Sequence, residues 1–482
     1  MKHKLETLEL PFPASPEALF APFANHPWSI WLDSSTQQSG THIMTARPAA
    51  TLEHWPDKTL IQYANGKTTT CYPTDKTDLL ASIRAIEKEL YGHLLNEYLP
   101  NEYLEEPHGH GLQNTHGLSM LPGALGFFSY EQGVAWQNLT VNKDDIDFPL
   151  VALGFYTWVL SINCEQQRCT LTFDPTHHTE NELLTLLDTN TNTNTTEPLL
   201  TSTSHVTENL SYQAYHHAFN QVQQHLLAGD CYQINLAKRL SANVSGSSWH
   251  QYLNIRQNHP NPFSAFACYP FGDILCFSPE EFLHIDSERQ VTTRPIKGTL
   301  ERTQRHNAAH DADEVAQLKR SAKNRAENLM IVDLMRNDLS QVCLPNTVQV
   351  PKLFDIETFP TVHHMVSTVV GTLKPNLDAW DLLKACSPGG SITGAPKHQA
   401  MKIIQSLEPN NRHIFCGSLI HKDILGGLKS NLCIRTLLRQ QDHLYAWVGS
   451  GIVIDSNAEE EQAELDWKIG KIIDLIRGQQ TK

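Results

Sequence analysis

Apolar residues recur along this chain with two periods. Over 79–94 they return every three or four positions, which predicts an amphipathic helix. The same spacing predicts helices over 211–228, closed by Gly229 as a C-cap, and over 312–335 as one long element. Further helices are expected over 380–384, over 396–407 with Pro396 in the first turn, and over 458–476. The last of these has Ser456 or Asn457 as its N-cap and acidic residues in its first turn. Other segments are apolar and β-branched without helical spacing. Strands are expected over 234–240, 274–285 and 445–454, a turn and aromatic strand over 122–130, and one continuous buried strand over 148–162. The Thr/Asn-rich tract 188–198 cannot bury a core and reads as an exposed loop. It divides a mixed α/β region, 1–187, from a motif-dense region, 199–482.

Composition narrows the class. The 482 residues, 40% apolar and 18% charged, have ample material for a large core. A formal net charge of −15 argues against nucleic-acid binding, which needs a basic face. No run approaches the ~18 apolar residues of a membrane helix. The opening residues lack an apolar signal core, and the ten cysteines show no C-x-x-C spacing. Free thiols in a cytoplasmic protein are therefore expected. Among 25 histidines no H-E-x-x-H zinc pattern occurs.

Five segments carry candidate chemistry. In Thr293-Arg294-Pro295-Ile296-Lys297-Gly298-Thr299, a lysine stands beside a glycine at a strand end. Desolvation there would lower its pKa and free its amine for attack. Near the C-terminus Glu461, Glu464 and Lys468 share one helix face, beside an apolar stripe of Leu465, Ile469, Ile472 and Ile476. Such a face is either a solvated charge stripe or a seat for a hard cation, with Lys468 toward an anion. Asn324 and Glu327 lie one turn apart on a helix that Arg336, Asn337 and Asp338 are expected to end. Mg²⁺ sites often use only one or two carboxylates plus water and substrate. The Gly-rich stretch from Ser387 to Lys397 opens a helix and can present backbone N–H groups to an anion, but it is not a Walker A loop. Glu280, in Phe277-Ser278-Pro279-Glu280-Glu281-Phe282, is either an exposed carboxylate or a general acid.

In their order, these segments resemble the chorismate-utilising enzymes over about 207–473, with a weaker match near 122–130. The stretch Pro295–Thr299 resembles that family's PI-x-GT signature. Alanine at x is usual in anthranilate synthase, and lysine marks the aminodeoxychorismate synthase subgroup. The resemblance implies an α+β fold: two intertwined subdomains whose large antiparallel sheets pack face to face, with helices outside. It implies Lys297 as the nucleophile on chorismate and Glu280 as the acid that protonates the departing hydroxyl. Glu327, Glu461 and Glu464 would hold Mg²⁺. Thr299, His364, Arg435, Gly449, Gly451 and Lys468 would bind substrate. Ser34, in the run Pro27-Trp28-Ser29-Ile30-Trp31-Leu32-Asp33-Ser34-Ser35, falls where relatives bind tryptophan; core aromatics on a strand explain that run equally well.

The implied activity joins chorismate and ammonia into 4-amino-4-deoxychorismate, a precursor of p-aminobenzoate and folate. Gln233 stands where water-using relatives carry a lysine base, which favours ammonia as nucleophile. No glutaminase G-x-C-x-G loop occurs, so ammonia is expected from a separate glutamine amidotransferase subunit in a heterodimer. Three places depart from the family pattern: Asn324 where an acid is common, Lys429-Ser430-Asn431, and Ile420-His421. Anthranilate synthase component I is the nearest alternative, and an inactive regulatory or scaffolding subunit is the alternative of another class.

Overall fold

Continuous apolar strands arise where both faces of a sheet are covered. In the strand Phe263–Tyr269, Ala265 and Ala267 face one core while Phe266 faces another. Ile274 and Cys276 are divided from Leu275 in the same way. The computed structural model describes residues 4–34, 40–72, 78–98, 120–142, 145–188, 197–303, 307–359 and 361–478. Among these residues two antiparallel sheets, of thirteen and twelve strands, hold the inner core between them. Ile30, Ile274 and Leu438 of the first sheet meet Leu52, Leu153 and Leu419 of the second in this cluster. The outer face of the first sheet is covered by the helices Tyr212–Ala228, Ser248–Asn258, Lys397–Leu407 and Ala458–Ile476. The expected α+β architecture is present.

Each sheet draws on both ends of the chain. In the first, Ser29–Asp33 pairs with Phe263–Tyr269; in the second, Gly123–Phe128 pairs with Ser418–Asp423. Residues 189–196 of the Thr/Asn tract, and Ser35 of the Trp28–Trp31 run, lie outside the described residues.

Several expected elements are divided. The apolar run 148–162 is two strands, Val151–Phe155 in the second sheet and Trp158–Asn163 in the first. The run 274–285 likewise splits into Gly272–Ser278 and Glu281–Ile285. Periodicity reports burial and not which sheet buries a residue, so a chain crossing between sheets is invisible to it. The expected single helix over 312–335 is two helices, Ala308–Arg320 and Ala322–Val342. Ser321 divides them: its backbone is extended, and its hydroxyl accepts a hydrogen bond from the Asn324 amide at 3.3 Å. The second helix runs past the expected end at Asp338, which is buried and ion-paired with Lys397 at 2.6 Å. Pro396 is the N-cap of Lys397–Leu407, outside its first turn.

Gly394 closes the Gly-rich loop onto the strand Gln233–Ser245, opposite Ile234. Its φ is +150°, and a Cβ there would lie 2.1 Å from the Gln233 carbonyl oxygen, a backbone atom with little freedom to move. Gly229, the predicted C-cap, also has a positive φ (+77°) but open space around it. Gly394→Ala should lower the unfolding free energy by about 3 kcal/mol or more, and Gly229→Ala by only about 1 kcal/mol. Urea midpoints of the two variants check this difference.

Candidate active site

One cavity of about 380 Å³ collects eleven of the twelve residues singled out above: Glu280, Lys297, Thr299, Glu327, His364, Arg435, Gly449, Gly451, Glu461, Glu464 and Lys468. It lies where the chain passes between sheets. Glu280 sits in the crossover between Gly272–Ser278 and Glu281–Ile285, neither exposed nor on a strand, and is 4% exposed. Arg435 sits in the return crossover, between Leu428–Asn431 and Thr436–Gln440, with a φ of +52°.

Lys297 belongs to the strand Ile296–Glu301, whose register with Val362–Thr372 shifts between Ile296 and Thr299. Gly298 has a φ of +94°, a conformation that glycine adopts without strain, and such irregularities re-aim side chains. A Cβ on Gly298 would stand 3.0 Å from Asn324, so the glycine also lets the helix Ala322–Val342 approach. That helix delivers Glu327 and Asn324 to the cavity. Asn457 caps Ala458–Ile476 by accepting hydrogen bonds from the Glu459 and Glu460 amides. Leu465, Ile469, Ile472 and Ile476 bury the other side of that helix, which turns Glu461, Glu464 and Lys468 inward.

The electrostatics suit proton transfer. Burial raises the Glu280 carboxyl to about 7, against opposing pulls from the Ser391 hydrogen bond and Lys297. Ser391, on the Gly-rich loop, donates to Glu280 Oε1 at 2.8 Å. Burial pushes the Lys297 amine below the ordinary lysine value; Lys468 adds to this, while Glu327 and Glu280 oppose it. Burial also raises Glu327. Glu464 is held below the usual range: burial pushes it up, but Lys468, at 2.6 Å, more than offsets that. Lys468 donates as well to the Gly449 carbonyl at 3.1 Å, and Glu461 accepts from Ser456 at 2.7 Å. His364 is driven to about 3 by burial, with Arg435 and His363 adding, so it is a neutral hydrogen-bonding group. Its Nδ1 lies 2.8 Å from Thr299 Oγ1.

Arg435 is the most telling residue. Its side chain is half-buried on the cavity wall, and the loss of solvent around it draws it down to about 10. It donates to Asn261 Oδ1 at 3.3 Å, and among the described residues no carboxylate stands within ion-pair distance. A guanidinium drawn partly out of water favours an anionic partner, and its fork matches a carboxylate. The cavity can therefore take a carboxylate ligand.

Gly451 marks the tightest approach. A Cβ there would meet Gln233 Nε2 at 2.8 Å and Lys297 Nζ at 3.1 Å. Gln233 is fully buried, and among the described residues neither amide atom has a hydrogen-bond partner.

The twelfth residue, Ser34, lies apart, in a cavity of about 240 Å³ with Gly40, Phe263, Glu281 and Lys429. The consecutive residues Glu280 and Glu281 line the two different cavities. Sequence reasoning did not single out Asn235, Lys323, Phe415, Trp447 or Trp467, which also line the main cavity. Lys323 stood beside the flagged Asn324, so its neighbourhood was the available signal. The aromatics carry no ionisable group or motif that would mark them in the sequence.

The model of the chorismate binding enzyme family matches residues 33–474. This chain belongs to the chorismate binding enzyme family. It is 38% identical over 472 residues to aminodeoxychorismate synthase component 1 of Klebsiella aerogenes, covering 97% of this chain and 98% of that one. It is 37% identical over 461 residues to the protein of that name in Escherichia coli K12, covering 95% of each. Among solved structures, anthranilate synthase component I of Streptococcus pneumoniae TIGR4 superposes with a TM-score of 0.74 at 24% identity, covering 90% and 92% of the two chains. The menaquinone-specific isochorismate synthase of Escherichia coli gives 0.68 at 14%, covering 98% and 95%. At these identities the two structures speak for the fold alone.

As a chorismate binding enzyme, the chain should be sensitive at Gly451. The atoms that a Cβ would strike are tips of flexible side chains, so the fold should tolerate Gly451→Ala while Lys297 is displaced. Activity on chorismate should fall on the order of 10²-fold with little change in melting temperature, because small misplacements of reacting groups are costly. Steady-state kinetics and thermal melts of the same preparation check both halves.

Proposed function

We propose that this chain aminates chorismate at C4 with ammonia, releasing water and giving 4-amino-4-deoxychorismate for p-aminobenzoate synthesis. The observation that carries this reading is Lys297: a desolvated amine at the position that separates subgroups by resemblance, in one cavity with a carboxyl poised near neutrality and a half-buried arginine that has no carboxylate partner among the described residues. Near-full-length identity to proteins named aminodeoxychorismate synthase component 1 supports it.

In this reading Arg435 takes a substrate carboxylate, with Thr299, His364, Lys468 and the backbone at Gly449 and Gly451 completing the seat. The neutral Lys297 amine adds at C2 as the 4-hydroxyl leaves. Glu280, protonated, donates its proton so that water departs. Ammonia then adds at C4 and expels the lysine. Gln233 has no basic group with which to activate water, consistent with ammonia as nucleophile.

Glu327, Glu461 and Glu464 offer oxygen donors only, the chemistry that Mg²⁺ prefers. They line one cavity without converging as a tight trio, which suits an ion that keeps waters and substrate oxygens as ligands. Bound there, Mg²⁺ would supply positive charge to a substrate carboxylate.

Ammonia would come from a separate glutamine amidotransferase subunit. Cys416, nearest to a candidate thiol nucleophile, is buried, and burial pushes its thiol up to about 12, far from a reactive thiolate.

Purified protein with chorismate, Mg²⁺ and ammonium should form a product that a lyase converts to p-aminobenzoate. Anthranilate fluorescence without lyase would instead assign the chain to anthranilate synthesis. Lys297→Ala should lose amination by at least about 10²-fold, and full retention would remove its role as nucleophile.

The rate should depend on pH as a bell. It falls in acid because Lys297 becomes an ammonium, and in alkali because Glu280 becomes a carboxylate. One limb should lie near 7, the value of Glu280. Glu280→Gln should lower kcat by about 10²- to 10⁴-fold and remove that limb. A limb unchanged near 7 in that variant would assign it to another group.

A further inference from the structure

We propose that Asp311, Glu314 and His363 form a second metal site, for a divalent ion of the zinc type, behind the strand that carries His364. One ligand atom from each lies within 4.8 Å of the others. His363 and His364 are consecutive on the strand Val362–Thr372, so their side chains leave opposite faces. His364 lines the chorismate cavity, whereas His363 meets the helix Ala308–Arg320, which supplies Asp311 and Glu314.

Acidic residues alone would not make a site. The second observation is His363 itself. Its ring is fully buried, and among the described residues Nε2 has no hydrogen-bond partner. That nitrogen stands 3.5 Å from Glu314 Oε2 and 3.6 Å from Asp311 Oδ1, bonded to neither. Glu314 is 6% exposed, and its Oε2 is likewise buried without a partner. Two buried atoms without hydrogen-bond partners and a third oxygen thus face one point, and leaving such atoms unsatisfied is costly.

The surrounding contacts are those that orient ligands in metal centres. Thr358 Oγ1 lies 2.9 Å from His363 Nδ1, so a proton on Nδ1 donated to Thr358 leaves Nε2 with a free lone pair. The Arg302 guanidinium grips Asp311, with Nε donating to Oδ1 at 2.7 Å. Thr303 donates to Glu314 Oε1 from both its amide (3.2 Å) and its hydroxyl (2.6 Å), and His310 Nε2 stands 3.0 Å from the same oxygen. Oε2 is left for a ligand. Against the Arg302 guanidinium, the two carboxylates of Asp311 and Glu314 leave one net negative charge to attract a cation.

The donor set selects the ion. Imidazole plus carboxylates suits Zn²⁺ and its transition-metal neighbours, whereas Mg²⁺ prefers oxygen alone. The site would be distinct in chemistry from the oxygen-only set of Glu327, Glu461 and Glu464. Bound metal would tie the helix Ala308–Arg320 to the paired strands Ile296–Glu301 and Val362–Thr372, which carry Lys297, Thr299 and His364.

The test uses the full-length protein, stripped with chelator and titrated with Co²⁺ under saturating Mg²⁺, followed by visible absorption. Uptake of about one equivalent is expected, with the intense bands of low-coordinate cobalt, displaced by Zn²⁺. Glu314→Gln and His363→Gln should each weaken Co²⁺ binding at least tenfold, and Thr358→Val, which keeps all three ligands, severalfold. Glu314→Gln nearly preserves shape and carries the test if His363→Gln does not fold. Chorismate turnover in Glu314→Gln at saturating Mg²⁺ should stay within about twofold, which separates this site from the catalytic one. No Co²⁺ uptake by the unaltered protein, or equal affinity in the Glu314→Gln and Thr358→Val variants, would overturn the proposal.

Discussion

Charge buried at the seam between two sheets is the constraint on which this structure depends. The inner core excludes water, so any ionisable group within it must be paired, neutralised or reserved for a ligand. Lys397 is paired, with Asp338. Arg412 is paired with Glu408 and also donates to the Asn235 and Ile392 carbonyls, fastening the Gly-rich loop to the strand Gln233–Ser245. Glu280 is partly neutralised. Arg435 has no carboxylate within ion-pair distance among the described residues, and it faces the cavity.

The crossovers place these groups. A chain confined to one sheet alternates its side chains between a core and a surface. A chain that moves from one sheet to the other exposes backbone and side chains to the seam itself. The segment at Pro279-Glu280 and the return at Arg435 both do so, and the positive φ of Arg435 belongs to the second of them. Around them the remaining site residues arrive by three other routes. A glycine-centred register shift presents Lys297, the helix after Ser321 presents Glu327, and the last helix presents Glu461, Glu464 and Lys468. Catalytic geometry here is a by-product of how the two sheets are stitched.

Local signals in the chain were legible where local physics decides them. The last helix is bounded by its cap, its acidic first turn and its apolar stripe, and it runs over the span those signals predict. Gly229 is the left-handed C-cap that its position suggested. Lys297 lies on a strand, but near the start of Ile296–Glu301 and not at the end of the β-branched run before it, which stops at Thr293. Elements failed where distant contacts decide. The run 148–162 is nearly continuous in apolar residues and 274–285 is mostly buried, although each serves two sheets. The helical spacing over 312–335 runs unbroken through Ser321 because serine is tolerated inside a helix, and only the folded backbone shows it as a cap.

By itself, the sequence determined the residue types of the site and the subgroup that Lys297 marks, because a motif preserves chemistry in a short span. Only the tertiary structure decided the states of those residues. It shows Glu280 buried with its carboxyl raised to about 7, Arg435 on the cavity wall with no carboxylate partner among the described residues, and Asp338 buried inside a helix and not ending it. Protonation and pairing depend on dielectric and on neighbours hundreds of residues away, and no local pattern records either.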